Sequence, residues 1–511
     1  MIKQKKINTF FWIIIILSFI LHLISINFHP TNFEGGYGAF ANFFQAKNKI
    51  EFLEAYYISQ FNTYSFSALA SLISYLIPFL DGYQSVKILS ASSYFFLGLG
   101  IINILKYYNF KDNKLIFLIV IFSNSIIWSY GFRAFNDLFS FSIGIYFFSK
   151  ILISKNTHTV YLNSFFLGMS TILKTYNLIF ILPIFFLYIK KTKKKLIFNK
   201  DFIKLIIIIF IPFLIFHFII YKYLGFFLAP KNEDLQIALI GNDENRNLLW
   251  VLNNFIFYIG YLLLLTFPFS LVFFFKVNNK IKIEYLFFFI FAFFFSLFFQ
   301  KYLFISSELD FGPIQKYIPE NIYKGIILFC FLFFIFLLFT FIKNNKFEKR
   351  KLKICLIIIF SIVCYLLALS FVKAAQRYLI LPLPFIFLFL FTIIQPRLII
   401  FAILIIYTFF NSFLLLNYYI TGKSSEMVFN YLKKENILKK TNPGVITPHV
   451  YHLYSNCKNT KTKNKCNDNS NNTIEIISDE YKIDYYSEKA VYSSDVEVLG
   501  FSFKKYSIIK N

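Results

Sequence analysis

Charge is scarce in this sequence. Of its 511 residues, 15% are Asp, Glu, Lys or Arg and 58% are hydrophobic; soluble domains carry about 25% charged and about 45–50% apolar residues. That shortage excludes an ordinary soluble globular chain and points to a polytopic membrane protein. No run alternates apolar and polar residues as a barrel strand must. The apolar residues instead form blocks of roughly 17–25, the length that crosses a bilayer as a helix. Cysteines number 5. Cys330, Cys355 and Cys364 lie in apolar runs and read as packing residues. Cys457 and Cys466 lie in a polar tail with eight residues between them, a spacing that is no zinc signature; they are candidates for a disulfide if the tail lies outside the cytoplasm.

What charge there is leans one way, to a net +26. The lysines sit in short loops between apolar blocks, where they orient a membrane protein rather than bind nucleic acid. Arginine is rare beside lysine, and Phe, Ile, Asn and Tyr are heavily used, a coding bias that weakens any argument from a single residue of these types. The opening "MIKQKKINTFFWIIIILSFILHLI" lacks a small-residue cleavage site after its apolar run. It reads as an uncleaved first span with its basic start in the cytoplasm.

The spacing of the blocks predicts an all-α polytopic membrane protein of about 13 transmembrane helices, ending in a small α+β extracytoplasmic domain. Spans are expected near Phe10–Phe28, Val86–Tyr107, Leu115–Tyr130, Asn136–Ile153, Tyr161–Lys174, Asn177–Ile189, Phe202–Leu224, Leu248–Phe275, Tyr285–Phe304, Gly325–Ile342, Ile354–Phe371, Tyr378–Ile394 and Leu398–Tyr418. They divide the chain into a membrane module over residues 1–419, with a first outer loop at 29–85, and a tail over residues 420–511. "YSFSALASLISYLIPFL", Tyr64 to Leu80, is short and Ser-rich and reads as a helix lying at the outer surface. The lysines flanking residues 161–189 both belong in the cytoplasm, so two short spans must meet outside at Lys174. With this threading the predicted inner loops carry most of the Lys and Arg that precede the tail. Glu34, Asp81, Asp137, Glu308 and Asp310 are among the acids that fall outside. In the tail, "SSEMVFNYLKKEN" reads as a helix with a Ser cap; "GVITPHVYHLY", "TIEIIS" and "VEVLGFSF" read as strands.

Four features collect on the predicted outer face. They are Glu34 and Tyr37 in "FEGGYGAF"; Arg133, Asn136 and Asp137 in "YGFRAFND"; Lys174 in "LKTYN"; and Arg377 and Tyr378 in "AAQRYLILPLP". Each has a plain structural reading. Asn136 and Asp137 suit a helix N-cap, Arg133 could pair with Asp137, Lys174 could snorkel, and Tyr378 could anchor at the interface. Together they weigh more, because ionisable residues at membrane depth are costly.

In order and type these elements resemble the GT-C superfamily, the integral-membrane glycosyltransferases that use lipid-phosphate-linked sugars. The look is nearest to the bacterial branch related to protein O-mannosyltransferases and aminoarabinose (lipid A) transferases. "FEGGY" is similar to that branch's acidic motif, with Phe33 where its first acid would stand. "GFRAFND", the Lys-Tyr segment before a Pro, and "RYLILPLP" are similar to later elements. The resemblance implies a polyprenyl-phosphate sugar donor, a lipid or glycan acceptor, and a site on the extracytoplasmic face of the inner membrane. It implies Glu34 and Asp137 as catalytic acids, and Lys174, Arg377 and Arg133 as binders of the donor phosphate. Tyr37, Asn136 and Tyr378 would be substrate contacts, and a divalent cation could join Glu34 and Asp137. Two other classes compete: a polysaccharide repeat-unit polymerase or ligase, and a polytopic transporter or flippase. The first is disfavoured by a mid-chain outer loop with only Arg246, the second by charges gathered at the outer edge rather than the midplane.

Overall fold

The structure is a computed structural model that describes residues 2–28, 64–108, 114–192, 200–224, 248–276, 279–303, 319–343, 349–371, 376–393, 399–435, 474–477, 490–498 and 500–510. It is mostly helical. In chain order the helices are α1 (Ile2–Leu23), α2 (Tyr64–Leu76), α3 (Gly82–Tyr107), α4 (Lys114–Ser123), α5 (Ser125–Phe132), α6 (Asn136–Ile153), α7 (Thr157–Leu173), α8 (Ile181–Thr192), α9 (Lys200–Leu224), α10 (Leu248–Lys276), α11 (Asn279–Phe299), α12 (Glu320–Lys343), α13 (Lys349–Ser370), α14 (Leu383–Ile393) and α15 (Ile399–Lys434). Short 3-10 segments at Thr175–Phe180, Gln300–Tyr302 and Gln376–Ile380 interrupt them.

Helix covers each apolar block read as a span. Among the described residues six helices are long and apolar enough to cross a membrane, or seven if α4 and α5 count as one. Residues 115–130, expected as one span, are bent by 61° between α4 and α5. The physical reason is Asn124. Its Oδ1 accepts from Ile126 N at 3.3 Å and so caps α5, while its Nδ2 donates to Leu265 O at 3.0 Å. The chain folds into two compact units.

The first unit comprises Met1–Ile16, Tyr94–Trp128 and Ser140–Phe409. Within it glycine lets helices touch backbone to backbone: a Cβ at Gly168 of α7 would collide with Ile209 O of α9, and one at Gly260 of α10 with Ile327 O of α12. Such small-residue contacts are how helices associate without a hydrophobic drive between them.

The second unit comprises Leu17–Ser93, Ser129–Phe139 and Phe410–Asn511. Here α3 opens on a capping box, Gln84 N to Asp81 Oδ1 at 2.6 Å and Asp81 N to Gln84 Oε1 at 3.2 Å, each satisfying a donor the helix start leaves over. Helix α2 buries Phe66, Ala70 and Ser74, four apart, and exposes Leu69, Leu72, Tyr75 and Leu76. It is an apolar helix too short to span.

Two tail expectations are corrected. Helix α15 runs unbroken to Lys434 through the expected boundary at 419/420. Ser424 and Ser425 are therefore buried inside a helix rather than capping a new one. "VEVLGFSF" is not one strand but the corner of a hairpin. Strand β2 (Ala490–Val498) pairs antiparallel with β3 (Phe501–Lys510), Val498 opposite Phe501, and Gly500 between them takes φ 80, a conformation glycine adopts without penalty. Strand β1 (Ile474–Ile477) flanks β3 on its other side, giving the order β1-β3-β2. The sheet is fixed to α15 by Tyr492 stacked on Tyr431 at 4.2 Å.

Candidate functional site

Lys174, Arg377 and Tyr378 come together in the first unit. Two 3-10 segments meet there, one directly after Lys174 and one carrying Arg377. Lys174 is the C-cap of α7, its backbone extended at φ −153, ψ 113, and the 3-10 segment Thr175–Phe180 starts directly after it. The second segment, Gln376–Ile380, carries Arg377 and Tyr378. The two segments meet through Tyr176 and Tyr378, edge to face at 4.7 Å. Lys174 Nζ lies 5.5 Å from the Tyr378 ring centre and 5.8 Å from that of Tyr176. The Arg377 guanidinium lies 5.3 Å from the Tyr378 ring. Two half-buried cations thus share one aromatic ring. Tyr378 itself is buried, so the interface-anchor reading of that residue is set aside.

Asn177 holds the first break in place. Its Nδ2 donates to Ser140 O at 2.9 Å and to Ser170 O at 3.1 Å, which ties the segment to both α6 and α7. Gly144 of α6 leaves the room; a Cβ there would lie 2.7 Å from Asn177 Cγ. The second break is held by Tyr365 of α13, whose hydroxyl donates to Tyr378 O at 3.1 Å, and by Tyr261 of α10, whose hydroxyl donates to Gln376 Oε1 at 3.1 Å. Beside this cluster lies a small apolar crevice. Phe180, Pro183, Ile362, Tyr365, Leu381 and Phe385 are among its walls.

Arg133, Asn136 and Asp137 fall in the second unit. Helix α6 begins at Asn136 with Asp137 in its first turn, where a carboxylate complements the helix dipole. Both side chains are fully buried. Arg133 precedes the helix in a turn closed by Phe135 N to Arg133 O at 3.0 Å. Its guanidinium lies over Phe135 at 4.8 Å and Tyr130 at 5.7 Å.

One residue of this unit escaped sequence reasoning. Lys87, in the second turn of α3, is buried and donates to Ser25 O and, at 2.6 Å, to Phe28 O. The rings of Tyr83, Tyr418 and Phe28 surround its ammonium at 4.7, 5.4 and 5.8 Å. A buried lysine on the carbonyls that follow α1 fixes where the first span ends. The available signal was a lysine inside an apolar block, hidden by the abundance of lysine elsewhere.

Glu34, Tyr37, Cys457 and Cys466 lie outside the described residues. So do "GVITPHVYHLY" and the acidic loop containing Arg246. Cys330 and Cys364 are free thiols. Among the described residues no three His, Cys, Asp or Glu side chains group as metal ligands. No family model, no curated protein and no solved structure matches the chain.

Proposed function

We propose that the chain is a membrane glycosyltransferase of the GT-C kind. It would move a sugar from a polyprenyl-phosphate donor to a lipid or glycan acceptor on the extracytoplasmic face, with inversion. The observation that carries this reading is the pairing of Lys174 and Arg377 over Tyr378 next to an apolar crevice. An anionic headgroup on an apolar tail matches that combination: cations for the phosphate, with apolar walls next to them.

In the reaction the acceptor oxygen attacks the anomeric carbon from the side opposite the phosphate. A glycosidic C–O bond forms, the C–O bond to phosphate breaks, and its electron pair leaves on the phosphate oxygen. The acceptor proton passes to a base, the role assigned to Glu34, worth about 10²–10⁴-fold. The leaving group needs charge stabilisation more than a proton. Arg377 offers a planar fork and Lys174 a point charge, held in place before reaction, the arrangement that contributes most to catalysis. Asp137 and Asn136, with Arg133, would orient the acceptor. Tyr37 would contact substrate, and a divalent cation is a further option. The same reading takes about 13 crossings, the amino terminus in the cytoplasm and the tail outside.

The bent pair α4 and α5 also favours a second reading, a flippase for the same lipid, since discontinuous helices line transport paths. One experiment separates them. Lipid-linked sugars and surface glycans of the native host are profiled by mass spectrometry with wild type, Glu34→Gln and Lys174→Ala. The transferase reading expects both variants to accumulate one polyprenyl-phosphate monosaccharide on the outer leaflet and to lose one sugar from a surface glycan. Accumulation on the inner leaflet supports the flippase instead. Profiles identical to wild type at equal protein level sink both.

A further inference from the structure

Helix α2 is built inside out. Its buried side carries Phe66, Ser67, Ala70 and Ser74, and its exposed side Leu69, Leu72, Tyr75 and Leu76. A helix on the surface of a soluble core does the reverse, apolar stripe inward and polar face outward. Two of its serines are spent on the helix itself: Ser71 Oγ donates to Ala68 O at 2.8 Å and Ser74 Oγ to Ser71 O at 3.0 Å. The inversion continues past the helix end, where Phe79 is 85% exposed. From Tyr64 to Leu80 the chain holds no Asp, Glu, Lys or Arg. The inner side is held by protein: the Phe66 ring lies 5.7 Å from that of Phe139 in α6, and the small residues around it permit close approach.

What covers the outer side follows from where α2 sits and what it lacks. Helix α3 starts at Gly82, a few residues after α2 ends at Leu76, and is long and apolar enough to cross a membrane. The Asp81–Gln84 capping box between them is exposed, so α2 ends beside the polar boundary at which α3 begins. A helix resting on that boundary keeps a charged or polar face for water; α2 has none. A protein partner or a second copy would meet an apolar centre with a polar rim; here Ser71 and Ile73 alone border the exposed arc. The 13 residues of α2 extend about 20 Å, against about 30 Å of hydrocarbon. Acyl chains are the surroundings that suit all of these features.

We propose that α2 is a half-span: it lies among the acyl chains of the leaflet in which α3 begins, with Leu69, Leu72, Leu76 and Phe79 against lipid, and it does not cross. The partner of this surface is the hydrocarbon of the bilayer, not water and not another protein. Through the Phe66–Phe139 contact the same helix stands between lipid and the start of α6. The inference is independent of the transfer reaction and of which side of the membrane α3 starts on.

The test uses the full chain with its 5 cysteines replaced, in liposomes of phosphatidylethanolamine and phosphatidylglycerol. A nitroxide is attached in turn at Leu69→Cys, Leu72→Cys, Leu76→Cys and Phe79→Cys, all exposed positions where a label displaces nothing buried. Ile405→Cys on α15 serves as the lipid reference and Glu497→Cys on β2 as the water reference, and melting temperatures equal to the parent's show that the fold is kept. Collisions with oxygen, which concentrates in lipid, are compared with those of a water-soluble nickel chelate. All four α2 sites should behave like Ile405→Cys, oxygen exceeding nickel several-fold, while Glu497→Cys shows the opposite. Nickel access at Leu69, Leu72 and Leu76 equal to that at Glu497 puts the face in water and overturns the proposal. Low access to both probes means that protein covers the face, and overturns it as well. So does a depth, followed through Phe79, Leu76, Leu72 and Leu69, that passes the bilayer centre, because α2 then crosses.

Discussion

Single side chains decide where this chain stops being a plain helix. Asn177 closes the turn after Lys174 by reaching two helices at once, and it fits because residue 144 has no side chain. Gly144→Ala should push Asn177 aside, strand the Ser140 and Ser170 carbonyls, and cost about 1–3 kcal/mol. A drop in melting temperature in detergent, with loss of transfer, checks it; wild-type stability would show that the two helices separate freely. Lys87 carries a comparable burden. Lys87→Met leaves the Ser25 and Phe28 carbonyls without their donor, and the expected loss is about 1–3 kcal/mol, while Lys87→Arg keeps the charge. If Met proves as stable as wild type, the ammonium is not what holds the end of the first span. These roles were poorly legible in the sequence. Lysine and asparagine are so common here that no single one stands out, and both act on partners far away in the chain. Lys174 was the exception, because a cation in the middle of an apolar stretch has few plain explanations.

Elements were read more easily than their breaks. Every apolar block became helix because period and length suffice to specify one. The junctions at Lys174 and Gln376 were legible as ends of apolar blocks, whereas the bend at Asn124 depends on a tertiary partner, Leu265 O, that no local pattern announces. The helix expected to start at Ser424 failed for a related reason. Falling hydropathy after Tyr418 marks the end of the apolar stretch, not the end of the helix, and polar residues continue a helix as readily as apolar ones. The hairpin was missed because Gly500 was read as part of a strand. At this scale the contact of Tyr492 with Tyr431 is testable. Tyr492→Ala removes a stacked pair worth about 0.5–1.5 kcal/mol, and faster amide exchange in β2 and β3 is expected. Burial, then the neighbouring Tyr431, raises the Tyr492 phenol above its ordinary value of 10.0. The neutral phenol is the favoured form in the fold. Its contribution is complete below pH about 10 and fades as pH climbs through the higher folded value. Exchange in β2 should therefore stay flat up to pH 10, after correction for intrinsic rates, and rise beyond it in wild type but not in Tyr492→Phe.

For the whole molecule the sharpest question is which way it faces. On the proposed threading the lysine-rich stretch 190–195 lies in the cytoplasm, residue 192 with it, and the tail lies outside. In a background with its 5 cysteines replaced, Asn511→Cys should react with an impermeant thiol reagent added to intact cells, and Thr192→Cys should not. The reverse pattern would place the Lys174–Arg377 cluster on the cytoplasmic side, where a lipid-linked donor of the proposed kind is not presented. Sequence alone supplied this threading, since the lysine bias is a property of loops and needs no packing to be seen.

Helix α15 has a mechanical consequence. Its 36 residues make a rod of about 54 Å, against about 30 Å of hydrocarbon. The excess is a rigid mast with no joint between lipid and water. A tilt of about 10° at its base would swing the far tip by roughly 9 Å. On the proposed threading the rod would carry a push on its C-terminal end into the lipid, with no break in the helix to absorb it.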